Sequence, residues 1–113
     1  MDTIQSLPPH GEQHIVVKGN TVNPTRALIL VHGRGATAES IMSLTDHLTL
    51  GDDHIALAPQ AAEHTWYPIR FIRPQSENQP YLNAALDRIK AIIAHLETNF
   101  GITPSYITLA AGF

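Results

Sequence analysis

The segment Arg26 to Gly35, RALILVHGRG, constrains this 113-residue chain most. Ala27 to Val31 are five consecutive apolar residues without alternation. Such a run predicts a strand buried on both faces, as in a parallel sheet. A sheet buried on both faces needs covering layers, and helices joined to parallel strands by crossovers supply them. The run ends abruptly at His32-Gly33-Arg34-Gly35. A strand running into a glycine-rich turn before a helix is the arrangement to look for in the rest of the chain.

The remaining pattern agrees with an α/β fold. Glu12 to Lys18 alternates in the manner of a short strand, and Gly19-Asn20 is a turn signal. Thr37 to Leu48 predicts a helix, with Thr37 as N-cap, Glu39 in the first turn and Ile41, Leu44 and Leu48 on one face. His54 to Ala58 is another apolar run, closed by Pro59. Ala61 to Glu77 is an irregular loop carrying Trp66, Tyr67 and Phe71. Gln79 to Asn99 is a second helix, with Leu82, Leu86, Ile89, Ile93 and Leu96 as its apolar stripe. Gly101 stands at its C′ position and Pro104 blocks continuation. Tyr106 to Ala111 is a final apolar strand. The length is that of one domain.

Composition narrows the function. The chain is 43% hydrophobic and 15% charged, as globular proteins are. A net charge of −3 leaves no basic excess to neutralise a row of phosphates, so no nucleic-acid partner is expected. Zero cysteines exclude a disulfide framework, a Cys-ligated metal and a cysteine nucleophile within these residues. No stretch approaches 18 apolar residues, so no membrane span is expected. Met1 to Pro9 carries no positive n-region and no apolar run, and a cytoplasmic setting is the default expectation.

The turn after the second strand is where chemistry would sit. Glycines there permit a positive φ and close backbone approach, so peptide N–H groups converge on one spot. Such a turn is suited to a phosphate or to the oxyanion of an acyl-transfer intermediate. An unliganded βα turn is the plain alternative. Gly33-x-Gly35-x-x-Ala38 fits a loose dinucleotide fingerprint, but the next strand ends Ala58-Pro59-Gln60, without the acid that would hold a ribose. The scattered His10, His14, His47, His54, His64 and His95 form no metal-ligand motif and are expected at or near the surface. No metal site is expected. Ser40, Ser43, Ser76 and Ser105 lack elbow glycines and are not nucleophile candidates.

The third reading of the turn is an oxyanion loop, a His-Gly-x-Gly turn after an apolar strand. LILVHGRGATAES, IALAPQAAEHTWYP, ENQPYLNAALDRIKAIIAHL and ITLAAGF together resemble the phospholipase/carboxylesterase family of α/β-hydrolases, which includes acyl-protein thioesterases. The resemblance spans about residues 26 to 113. It implies the N-terminal portion of an α/β-hydrolase fold, a mostly parallel sheet with flanking helices, in a single incomplete domain over residues 1–113. It implies a serine ester or thioester hydrolase acting on a small-molecule substrate without a cofactor. Residue by residue, it assigns the backbone N–H of Arg34 as an oxyanion donor, with His32, Gly33 and Gly35 supporting the turn. Trp66 and Tyr67 match the loop bordering the acyl cleft. Gly112-Phe113 matches the start of the family's Gly-Phe-Ser-Gln-Gly elbow. By this match the nucleophile follows Phe113, and the triad Asp and His follow later. Residues 1–113 alone are therefore expected to be inactive.

Two further expectations concern the last strand. The family pattern sets it beside the His-Gly strand, so its other edge would be exposed, apolar and uncharged. Such edges pair with other chains. Self-association through the C-terminal edge strand is expected. A non-catalytic chain recruiting a partner there is the alternative to an enzyme.

Overall fold

The computed structural model describes residues 4, 6–8, 10–33, 35–47, 50–62 and 81–111. Its strands are β1 (Ile15–Gly19), β2 (Arg26–Val31), β3 (His54–Pro59) and β4 (Ile107–Ala111), and its α-helices are α1 (Ala38–Met42) and α2 (Tyr81–Phe100). The sheet order is β1-β3-β2-β4. β2 runs parallel to β3 and to β4, whereas β1 runs antiparallel to β3. This mostly parallel sheet with flanking helices is the architecture that the resemblance implies.

The unbroken apolar runs of β2 and β3 have the expected cause. Successive side chains point to opposite faces. Ala27 and Ile29 of β2 join Ile55 and Leu57 of β3 in one core, with Ile92 and Leu96 of α2. Leu30, Ala56 and Ala58 join the other core, with Ala38 and Met42 of α1. Alanine on the α1 side of β3 and bulky residues on the α2 side fit a short helix above and a long one below. β4 lies at the edge, and its Leu109 is 55% exposed.

Of the apolar stripes predicted for the two helices, Leu96 is buried and Ile41 and Ile93 pack against the core, whereas Leu44 and Leu86 are exposed. In α1 the buried residues are Ala38 and Met42, and Leu44 is 47% exposed. The α-helix lasts five residues and then tightens into a 3₁₀ turn over Ser43–His47, which shifts the period and buries Thr45 instead. The Thr45 hydroxyl donates to the Met42 carbonyl at 2.7 Å. In α2 the buried row is Ala84, Arg88, Ile92 and Leu96, while Leu86 is exposed. Ile89 and Ile93 flank this row half-buried. The apolar stripe missed the true centre because that centre includes an arginine.

Arg88 is buried because the N-terminal segment crosses it. Its Nη1 donates to the Ile4 carbonyl at 2.7 Å and to Ser6 Oγ at 3.4 Å. Its Nη2 donates to the Gln13 carbonyl at 2.8 Å. Neighbouring Asp87 accepts the Leu7 N–H at 2.8 Å. Burial lowers the guanidinium pKa from its usual value, yet an arginine stays charged at any physiological pH. Gly101 ends α2 as expected, with φ +68°, while its N–H donates to Glu97 and the Ile102 N–H to Leu96.

Candidate active site

The site is built where β2 ends between its two parallel neighbours. Val31, the last residue of β2, pairs with Ala111, the last of β4, so both strands finish level. The chain then turns at Gly33. The Ala36 N–H donates to the Gly33 carbonyl at 3.0 Å, closing a four-residue turn. Gly35 holds its third position with φ +81°. Glycine adopts this left-handed conformation without strain. Thr37 then caps α1, its hydroxyl accepting the Ser40 N–H at 3.0 Å. The Ser40 hydroxyl accepts the Thr37 N–H in return at 3.1 Å.

His32 is 1% exposed and spans the gap between the turn and the end of β3. Its Nε2 accepts the Ala61 N–H at 3.0 Å. A ring nitrogen that accepts carries no proton, so the proton is on Nδ1, which donates to the Gly33 carbonyl at 2.8 Å. The ring is thus neutral, buried and bonded at both nitrogens. It joins the Gly33 carbonyl to the Ala61 N–H, which occupies both ring nitrogens.

The loop leaving β3 is held by two groups that the sequence pattern passes over, one of its own and one from the N-terminal segment. Gln60 is 5% exposed; its Oε1 accepts the Ala38 N–H at 2.7 Å and its Nε2 donates to the Ala61 carbonyl at 2.9 Å. His10, expected at or near the surface, is instead fully buried, and its Nδ1 accepts the Ala62 N–H at 3.1 Å. A single polar residue between the buried strand and Ala61-Ala62 was the available signal for Gln60. His10 had none, because its partner stands 52 positions away.

Around this buried set the charges are exposed. Glu39 and His14 approach to 2.8 Å, both largely in solvent. Glu39 sits below its ordinary pKa, chiefly through a backbone hydrogen bond, with His14 adding to the effect. The structure thus brings together His32, Gly33 and Gly35 with Gln60 and Ala38. Arg34, Trp66, Tyr67, Gly112 and Phe113 lie outside the described residues. Among the described residues no group of three His, Asp or Glu is arranged to hold a metal, and no helix is long and apolar enough to cross a membrane. At the start of α1, where a dinucleotide's phosphate would approach, the Gln60 carbonyl oxygen is already seated.

No family model matches the chain, and no curated protein matches it. Solved structures do. A phospholipase/carboxylesterase from Dyadobacter fermentans is 35% identical and superimposes with a TM-score of 0.83, over 95% of this chain and 50% of that one. Esterase PE8 shares the fold at 18% identity and a TM-score of 0.61, over 88% of this chain and 50% of that one. The chain therefore spans about half the length of the solved structures it matches.

Proposed function

The chain resembles the N-terminal part of the phospholipase/carboxylesterase family of α/β-hydrolases, and on that premise we propose that it supplies the oxyanion turn of a serine ester or thioester hydrolase. One observation carries the reading. The Gly33–Ala36 turn, left-handed at Gly35, is locked by a buried neutral His32 at the end of the strand that pairs with β4. In the proposed reaction a serine following Gly112-Phe113 gives its proton to the triad histidine and attacks the acyl carbon. Negative charge develops on the carbonyl oxygen, and the Arg34 N–H donates to it. The C–O or C–S bond then breaks, the leaving group takes a proton from the triad histidine, and water releases the acid. Trp66 and Tyr67 border the acyl group. No metal or organic cofactor takes part, and the setting is the cytoplasm.

One oxyanion donor is worth about 10²–10³ in rate. Arg34 lies between Gly33 and Gly35 in the sequence. Arg34→Pro removes the N–H. In the gene product that carries residues 1–113, we expect Arg34→Pro to lower kcat for p-nitrophenyl acetate by about 10²–10³ with little change in KM. Arg34→Ala, which keeps the N–H, should leave kcat near that of the wild type. Equal loss in both variants would assign the role to the side chain and contradict the reading. Residues 1–113 contain no Gly-x-Ser-x-Gly, and alone they should show no burst and no turnover.

A second reading is favoured by the exposed edge of β4: a non-catalytic chain that pairs with a partner, or with itself, through that strand. Its mark is an assembly that persists without any hydrolase activity in the gene product.

A further inference from the structure

We infer that Gln60 is a positioning residue for the oxyanion turn, fixing the Gly33–Ala38 segment against the end of β3. What the turn is positioned for rests on the function proposed above; the positioning itself rests on four hydrogen bonds that form one connected path. The Gly33 carbonyl accepts from His32 Nδ1, and His32 Nε2 accepts from the Ala61 N–H. The Ala61 carbonyl accepts from Gln60 Nε2, and Gln60 Oε1 accepts from the Ala38 N–H. The path leaves the turn at its first residue and returns two residues beyond its last. Ala61 is thereby gripped on both sides, by His32 at its N–H and by Gln60 at its carbonyl.

Only a group that accepts at one atom and donates at the other completes this path. An amide does so at any pH. A carboxylate accepts but does not donate, and an apolar side chain does neither. Thr37 already caps the helix through the Ser40 N–H, so Gln60 is not needed as an ordinary cap. Its added effect is to tie the start of α1 to a fixed point on β3. Ala36, which closes the turn onto Gly33, is two residues from Ala38 and moves with it. A displacement of about 1 Å at a catalytic group costs on the order of a hundredfold in rate.

The test uses Gln60→Glu and Gln60→Met in the gene product that carries residues 1–113, with ester hydrolysis followed across pH. Gln60→Met should lower kcat by about ten- to a hundredfold with KM within about twofold. Gln60→Glu, whose carboxylate still accepts from Ala38 but cannot donate to Ala61, should show a smaller loss near pH 8 and recover towards wild type as pH falls. The protonated carboxyl again accepts from Ala38 and donates to Ala61. A Gln60→Glu variant whose ratio to wild type is flat with pH, or whose kcat is unchanged while its melting temperature drops, overturns the inference. If Gln60→Met does not fold, the pH profile of Gln60→Glu decides alone. Amide exchange on the same proteins separates this inference from the proposed function. If the wild type hydrolyses no ester, the proposed function fails, and protection of the Ala36 N–H still decides the positioning. It should fall in Gln60→Glu at high pH and return at low pH. A change confined to Ala38 overturns it.

Discussion

The two ends of this sheet hold strand termini in opposite ways. At the C-terminal end of β2 and β3, His10, His32 and Gln60 are buried, and each bonds a backbone group. At the N-terminal end, Asp53 gathers Arg26 at 3.6 Å and His54 at 2.8 Å, with Asp53 48% exposed. Arg26 also stacks over Tyr106, 5.4 Å from the ring centre. Both ends are polar clusters, but only one is protected from water. Exposed ion pairs are screened, exchange partners easily and contribute little. A buried polar group left without its partner costs about 1–3 kcal/mol. Position is therefore enforced at one end and loosely kept at the other. The enforced end is the one that carries the turn.

Substitutions should break the symmetry between these ends. His32→Ala should have the largest effect. It orphans the buried Ala61 N–H and opens a cavity, for a loss of about 3 kcal/mol in denaturant unfolding. A loss within about 0.5 kcal/mol would place His32 with the ordinary surface residues. Arg88→Met should come next, at about 2–3 kcal/mol, because the Ile4 and Gln13 carbonyls lose their donor inside the fold. At the sheet edge, Leu109→Lys should leave stability nearly unchanged while abolishing concentration-dependent association of residues 1–113 in sedimentation. Association that persists would move the contact away from β4.

The smallest effects belong to the exposed end. Asp53→Asn should not shift the unfolding midpoint measurably. The Asp53 pKa is lowered from 3.8, first by its hydrogen bond to His54. Its contribution is therefore present above 3.8 and disappears as pH falls through the lower folded value. His95 on α2 behaves with the same sign. Burial lowers its pKa from 6.5, so the folded state prefers the neutral ring, whose Nδ1 lies 3.1 Å from the Asn99 amide. Stability should decline slightly as pH falls below 6.5, and His95→Gln should flatten that slope.

How much of this was legible in the sequence follows from the range of each interaction. β2, β3 and the turn between Gly33 and Ala36 were readable because an unbroken apolar run and two glycines are local signals. The pairing of β4 with β2 came from resemblance to a family, since register across 80 residues leaves no local trace. The helix faces were read only in part, for two physical reasons. A 3₁₀ turn changed the period after Met42, and a buried Arg88 interrupted an otherwise apolar row. The roles of Gln60 and His10 depend on backbone groups brought close only by folding. Polar residues that bond main chain leave no complementary residue type to find.

The central claim is that this turn serves a serine nucleophile at the end of β4. The most direct measurement is fluorophosphonate labelling of the gene product from its natural host, followed by mapping of the labelled peptide. The account predicts one label, on a serine immediately after Ala111-Gly112-Phe113. An unlabelled product, or a label on Ser40, Ser43, Ser76 or Ser105, would contradict it.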